Sequence, residues 1–316
     1  MLAAALSLVI CIAVSPPAFA AYPEKAITIV VPFGPGGQAD ICARMLAQAL
    51  QPYFPKVVVT NMGSANGTTG AAYVAAAKPD GYTLLLGWLP SVAIAPATMP
   101  DIPYSWGSFD YLGLIQRHSF ALVANPKHPV QTFEALHEHL KTGKKDLRFA
   151  TAGFGTLNYI APIAMLRELG LPDDAVKYIP FKSGAAQAAP AVIGGHMDFL
   201  WQGLAPMTGA IQGKQLTCLA VTSPQRDPAA PECPTVRELG IPGMESIVAW
   251  GALAGPKGLP EEVMRAWTDV LQKVKNDAAW NDMLIKNGAQ PAILSPEETK
   301  TYVKQQFELF GKLGIE

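Results

Sequence analysis

The chain has 316 residues, half of them apolar, so it is long enough to bury the cores of two domains. Its 24 Lys and Arg nearly cancel its 25 Asp and Glu, which leaves no broad basic surface for the phosphate contacts that nucleic acid requires. We therefore expect no nucleic-acid partner.

Residues 1–20 form a distinct segment. Residues 2–14 are an unbroken apolar or small run, and Ala18-Phe19-Ala20 matches an A-x-A cleavage site. The run is shorter than the roughly 20 residues that span a bilayer, so a cleaved signal peptide is favoured over a membrane anchor or a buried helix. No Lys or Arg opens the segment, so the numbered start can lie inside a longer leader. We expect a periplasmic protein, cleaved after Ala20.

The cysteines fit an exported protein, because the periplasm permits disulfides. After removal of the leader, Cys218 and Cys233 are candidates for a bridge, although spacing alone leaves the pairing open. Cys42 is expected to be a small buried apolar residue in a helix. The cysteines lack the spacing of a metal site, and we expect no metal.

Strands and helices alternate along the chain, which predicts α/β architecture with largely parallel sheets. The first series is strand, helix, strand, helix, strand at residues 26–31, 40–50, 56–60, 70–77 and 82–86. A second series covers residues 121–124, 132–141, 147–150, 157–169, 176–179, 185–193, 197–201 and 216–221. A strand at 247–253 and amphipathic helices at 261–275 and 296–313 complete the chain.

The final segment has too few strands to form a domain, so we expect it to pack on the first series. This predicts one lobe from residues 21–122 and 246–316, a second from residues 123–245, and chain crossings near Leu122 and Glu245. Two crossings and a ligand cleft between the lobes form a hinge architecture.

Two Gly-rich loops, each between a strand and a helix, are the candidate ligand site. Unpaired N–H groups and partial positive charge at helix N-termini favour an anion such as a carboxylate. The loops contain neither a P-loop nor a dinucleotide fingerprint, so we expect no cofactor. The candidates are Phe33, Gly36, Gly37, Ala39 and Asp40 in the first loop, and Thr151, Gly153, Phe154, Gly155 and Thr156 in the second. Asp40 and Thr156 can instead cap their helices.

Further candidates lie near other strand ends. Trp88 and Trp201 each follow a strand and can line the pocket or pack in the core, and Ser91 offers a hydroxyl. Asp198 is a candidate ligand contact, although a structural pairing is favoured because a buried unpaired carboxylate is costly.

The mature chain resembles the Bug or TctC-like receptors of tripartite tricarboxylate transporters over nearly its whole length. The matching blocks include Tyr22-Pro23-Glu24-Lys25, Val31-Pro32-Phe33-Gly34-Pro35-Gly36-Gly37, Lys78-Pro79-Asp80-Gly81-Tyr82, Gly153-Phe154-Gly155-Thr156, Pro180-Phe181-Lys182 and Gly194-Gly195-His196-Met197-Asp198. The resemblance implies the type II periplasmic-binding fold and a carboxylate ligand held by the two Gly-rich loops. It also implies a large and a small membrane subunit as partners.

The sequence departs from that pattern at several positions. Asn61-Met62-Gly63-Ser64 replaces the usual Asn-Arg-Pro-Gly, Asn158 stands in the segment where His-Leu-Ala is common, and Ser183 replaces a Gly. Asn158 is therefore a further candidate ligand contact. These departures leave open which carboxylate is bound.

The leading hypothesis is a monomeric solute-binding protein that encloses a small mono- or dicarboxylate without turning it over. The alternatives are an extracytoplasmic enzyme acting on such acids and a sensor subunit that presents its ligand to a membrane protein. The sequence has no G-x-S-x-G elbow, no H-E-x-x-H and no Cys-His context, which argues against the enzyme.

Overall fold

The computed structural model describes residues 22–63, 65–153, 155–181 and 185–314. The predicted leader and Phe154 lie outside the described residues. The described chain forms two β-sheets with helices packed against them, and the chain passes from one sheet to the other and back.

The first part of the chain supplies most of one sheet, here called the first sheet. Its elements are β1 (Ile27–Val31), α1 (Gln38–Leu50), β2 (Val57–Asn61), α2 (Thr68–Ala75), β3 (Thr83–Trp88), α3 (Ala95–Thr98) and β4 (Phe109–His118). The apolar strands β1 and β3 pair in parallel and are almost wholly buried, as expected where helices cover both faces of a sheet.

The middle of the chain builds the second sheet. Its elements are β5 (Phe120–Ala124), α4 (Phe133–Lys141), β6 (Arg148–Thr151), α5 (Leu157–Glu168), β7 (Lys177–Pro180), α6 (Ala185–Ile193), β8 (Phe199–Gly203), α7 (Leu204–Gln212) and β9 (Thr217–Val221). The strand order is β7-β6-β8-β5-β9.

The chain then returns to the first sheet through β10 (Ala249–Pro256), α8 (Glu261–Lys275), α9 (Ala278–Lys286), β11 (Gln290–Pro291) and α10 (Pro296–Lys312). The strand order there is β11-β4-β10-β3-β1-β2. Helix α10 packs on β4, where the buried Thr299 hydroxyl accepts the Leu114 N–H at 2.7 Å. This bond fixes the C-terminal helix to the first sheet.

Both sheets are mixed rather than largely parallel. Strand β10 runs antiparallel to β3 and β4, and β5 runs antiparallel to β8 and β9. Sequence analysis missed β4, α7 and α9, and also the short elements α3 and β11. Strand β4 is buried along nearly its whole length, so it lacks the polar and apolar alternation that marks a half-buried strand.

The first crossing lies at Ser119, between the end of β4 and the start of β5. The predicted position near Leu122 is corrected, because Leu122 already pairs with Trp201 and Ala220 in the second sheet. The return crossing occupies residues 236–248, between the bridge of Val221 to Thr235 and β10.

A disulfide joins Cys218 and Cys233, which confirms the predicted pairing. Cys42 is a free, buried thiol on α1, and burial raises its pKa. Among the described residues, no helix combines the length and apolar character needed to cross a membrane. The same residues contain no group of His, Cys, Asp and Glu placed to hold a metal ion.

Candidate functional site

A cavity of about 1030 Å³ lies between the two sheets. Residues of both predicted loops line it, together with side chains that follow β3, β8 and α9. Of the predicted site residues, the lining includes Phe33, Gly36, Gly37, Trp88, Gly155, Thr156 and Asn158. The structure therefore brings these residues to one cleft from separate parts of the chain.

The buried Asp40 carboxylate stabilises the first loop through hydrogen bonds. It accepts the Gly36 N–H at 2.9 Å, the Arg44 Nε–H at 3.0 Å and an Asn61 amide N–H at 3.0 Å. Asn61 also donates to the Phe33 carbonyl at 3.1 Å. One buried carboxylate thus connects the turn between β1 and α1 to the end of β2.

The Arg44 guanidinium, hydrogen-bonded to Asp40, lowers the pKa of that carboxyl to about 2. Asp40 is only 3% exposed, and its oxygens are fully engaged. The expectation that Asp40 contacts the ligand, or simply caps α1, is therefore corrected to a positioning role. Ala39 is also buried, in the core beneath α1, and does not line the cavity, so its predicted ligand contact is corrected to a packing role.

The second loop forms a tight turn before α5. Gly153 and Gly155 have φ of +99° and +74°, a region that favours glycine. The Thr156 hydroxyl donates to the Gly153 carbonyl at 2.6 Å. Because a hydroxyl has a single proton, Thr156 stabilises the turn and has no proton left for a ligand in this arrangement. Phe154 lies outside the described residues.

Both loops direct a helix N-terminus at the cavity. The backbone N–H groups of Gly37, Gln38, Leu157 and Asn158 have no acceptor among the described residues, and all four residues line the cavity. Helices α1 and α5 have 13 and 12 residues, long enough to carry a dipole whose positive end lies here. The cleft thus offers unpaired donors and partial positive charge from both sides.

Sequence analysis missed Gln202, at the end of β8. Its Oε1 accepts N–H bonds from Asn158 at 2.6 Å and from Gly203 at 3.2 Å. These bonds orient the side chain and leave its NH₂ group without an acceptor among the described residues. Asn158 in turn donates to the Trp201 carbonyl at 2.7 Å, so its own amide protons are engaged within the chain. Of these two side chains, Gln202 is therefore the one with N–H groups left to donate to a ligand.

His118, which the sequence analysis did not single out, also lines the cavity. Burial lowers the pKa of its imidazole. Its Nδ1 lies 3.2 Å from the Gly288 carbonyl and its Nε2 lies 2.9 Å from the Gln116 amide nitrogen. A neutral ring with the proton on Nδ1 satisfies both contacts. His118 packs beside the Trp88 ring, with 5.8 Å between centroids, as part of the cleft wall.

Four residues that were predicted to contact the ligand do not line the cavity. Ser91, Thr151 and Trp201 are fully buried and do not line it; the Ser91 hydroxyl donates to the Trp88 carbonyl instead. Asp198 pairs with Arg148 at 2.6 Å before β8 begins, roughly 15 Å along the strand from its cleft end at Gly203. The ligand contacts expected of Ser91, Thr151 and Trp201 are corrected to structural roles, whereas Asp198 forms the structural pairing that the sequence analysis favoured. Gly153 does not line the cavity and shapes the turn before α5.

The two lobes touch at Gly288 and Ala205. Gly288 follows α9 and has φ of +67°, and a Cβ added there would lie 2.0 Å from the Ala205 Cβ on α7. Asn66 approaches Gly155 from the opposite lobe, with 3.8 Å between its Nδ2 and an added Cβ. The lobes are therefore closed against each other at this point, and position 288 has room for glycine only.

We predict that Gly288→Ala prevents full closure and weakens ligand binding at least about ten-fold, because the new methyl group overlaps Ala205. Adding Ala205→Gly removes the overlap and should restore much of the affinity, whereas backbone strain at position 288 is common to both variants. Titration calorimetry and small-angle scattering on both variants measure this. Equal affinities in the single and double variants would contradict the closure contact.

We predict that Asp40→Asn lowers stability at pH 7 by about 2 kcal/mol, since it removes charged hydrogen bonds that hold the first loop. The folded pKa of Asp40 lies below its ordinary value, so this contribution is present above about pH 4 and is lost as the pH falls towards 2. Denaturant unfolding at several pH values should show the difference from wild type shrinking over that window. Asp269→Asn, on the exposed side of α8, is the matched control; a pH-independent difference would contradict the assignment.

The chain is similar to known proteins in both sequence and fold. Residues 41–314 match the sequence profile of the tripartite tricarboxylate transporter family receptors. A UPF0065 protein encoded in the TAR-I ttuE-ttuC' intergenic region of Agrobacterium vitis is 31% identical, covering 91% of this chain and 82% of its own. BugT of Bordetella pertussis is 28% identical, covering 91% and 87%.

Solved structures agree with these sequence matches. The periplasmic binding protein BugD is 32% identical with a TM-score of 0.73, covering 93% of this chain and 99% of its own. MatC of Rhodopseudomonas palustris, solved with bound malate, is 26% identical with a TM-score of 0.74, covering 93% and 100%. The two-lobe periplasmic-binding fold expected from the sequence is confirmed, and the family comprises solute-binding receptors rather than enzymes. The chain belongs to the tripartite tricarboxylate transporter receptor family.

Proposed function

We propose that this protein captures a small mono- or dicarboxylate in the periplasm and delivers it, as a monomer, to the large and small membrane subunits of a tripartite tricarboxylate-type transporter. The observation that carries the proposal is the pair of helix N-termini, of α1 and α5, that face one cavity with unpaired N–H groups. The malate bound by the related MatC supports a carboxylate as the ligand class.

The ligand's carboxylate lies between the N-termini of α1 and α5, within reach of the Gln202 NH₂ group. Backbone dipoles and amide donors suffice to hold one carboxylate. Lys286 adds a positive charge at the edge of the same cavity.

The remainder of the ligand faces an apolar wall. Phe33, Trp88, Phe120 and Leu157 all line the cavity, and Ile41 extends the apolar surface at the start of α1. A cavity of about 1030 Å³ accommodates a ring or branched chain as well as the carboxylate. Carboxylates with an apolar body are therefore the first to screen.

We predict that a screen of aromatic and aliphatic carboxylates, including malate, yields ligands that raise the melting temperature while their uncharged amides do not. Among the ligands found, those with an apolar body should bind more tightly than malate. Thermal-shift screening followed by calorimetry tests this, with recovery of the ligand unchanged. Equal binding of acids and amides would contradict a carboxylate site.

The variant Gln202→Glu tests the placement of that carboxylate. Glu keeps an oxygen to accept from Asn158 and Gly203, so the fold should survive, but it replaces the NH₂ donor with a negative charge. Affinity should fall at least about 100-fold, since a hydrogen bond to a charged group is lost and repulsion is added. Gln272→Glu, exposed on α8, makes the same charge change as a control. Unchanged affinity in folded Gln202→Glu protein would place the carboxylate elsewhere.

The proposed location requires export. The apolar run at residues 2–14 and Ala18-Phe19-Ala20 support cleavage after Ala20, and the Cys218–Cys233 disulfide fits an oxidising compartment. We predict that intact-mass measurement of the periplasmic fraction finds a chain starting at Ala21. One thiol, from Cys42, should react after denaturation without reductant. A retained leader or three reactive thiols would contradict this.

A further inference from the structure

A second pocket lies at the hinge, separate from the ligand cleft. It has a volume of about 350 Å³ and is lined by residues of both crossings, including Ser119 and Ser246; we call it the hinge pocket. None of its lining residues also lines the cleft. The established family function and the proposed carboxylate site leave this pocket without a role.

Strand alternation separates the two cavities. Arg117 and Ser119 line the hinge pocket, whereas the intervening His118 and the following Phe120 line the cleft. Successive side chains of an extended strand point to opposite faces, so the crossing segment forms a wall with one cavity on each side. A group bound in the hinge pocket therefore contacts the segment that links the two sheets.

The hinge pocket contains an arginine without a carboxylate partner. The Arg117 guanidinium lies over the Tyr302 ring, 4.5 Å from its centroid, and has no hydrogen-bond acceptor or acidic partner among the described residues. Glu245 also lines the pocket, but Arg237 donates to its two carboxylate oxygens at 2.6 and 2.7 Å. Glu245 is thus paired with Arg237 and not with Arg117.

Two hydroxyl groups add donors. Ser223, only 2% exposed, lines the pocket, and its hydroxyl has no partner among the described residues. The Ser119 hydroxyl accepts from the Gln290 amide at 3.1 Å, which leaves its proton free to donate. A buried polar group without a partner is costly, so an acceptor-rich occupant would stabilise this arrangement.

We propose that the hinge pocket binds a small oxyanion, such as inorganic phosphate or sulfate, through the Arg117 guanidinium and the Ser223 and Ser119 hydroxyls. Arginine and hydroxyl donors match the acceptor oxygens of a tetrahedral oxyanion, and the pocket volume admits an ion of that size. Arg117 extends from the first sheet and Ser223 follows β9 of the second, so the bound ion joins both lobes and favours their closed arrangement.

The test is calorimetric titration of the mature protein with inorganic phosphate and with sulfate, at constant ionic strength and with chloride as the reference ion. Wild type should bind in the millimolar range or tighter. Arg117→Gln and Ser223→Ala should each weaken binding at least about ten-fold, since each removes a donor to a charged group. Arg265→Gln removes an exposed arginine from α8 and should bind as wild type does.

Phosphate could also bind at the helix N-termini of the cleft, so Gln202→Glu is titrated in parallel. The proposal predicts that Gln202→Glu binds the oxyanion as wild type does, even if it has lost its carboxylate ligand. The proposal is overturned if wild type binds neither ion, if Ser223→Ala and Arg117→Gln bind normally, or if binding is lost in Gln202→Glu alone. This result is independent of whether a carboxylate ligand is found for the cleft.

Discussion

The N–H groups at the starts of α1 and α5, which have no acceptor in the described part of the chain, are the constraint on which the cleft depends. The first turn of a helix cannot satisfy its own donors, and here neither N-cap residue, Gly37 or Thr156, accepts a bond through its side chain. Asp40, Arg44 and Asn61 fix one loop, and the Thr156 hydroxyl fixes the other. The donors are thereby held in place before a ligand arrives, which reduces the entropic cost of binding.

The chain crossing at Ser119 forms a wall shared by the ligand cleft and the hinge pocket. A few residues of extended chain link the sheets and form the floor of the cleft, with His118 and Phe120 facing it and Arg117 and Ser119 facing away. Any change in the angle between the lobes must alter both cavities. The close approach of Gly288 and Ala205 limits how far that angle can close.

Much of this architecture could be predicted from the sequence, because β-branched strands, Gly-rich loops and amphipathic helices are local signals. Which side chains reach the cleft, and which only support it, could not be predicted as well from the sequence. The strand predicted at 197–201 lies at Phe199–Gly203, and this shift of two residues made Trp201 and Asp198 look closer to the cleft and hid Gln202. The role of Asp40 depends on Asn61, at the end of another strand, and no local pattern reveals that pairing.

In the proposed complex, backbone N–H groups of two helices hold the ligand's carboxylate. Two-dimensional ¹H–¹⁵N NMR of deuterated protein, titrated with a carboxylate identified by screening, tests it directly. The account predicts that the amide protons of Gly37, Gln38, Leu157 and Asn158 shift downfield together as hydrogen bonds to the carboxylate form. Saturating ligand that leaves these amide resonances in place, while shifting others, would contradict it.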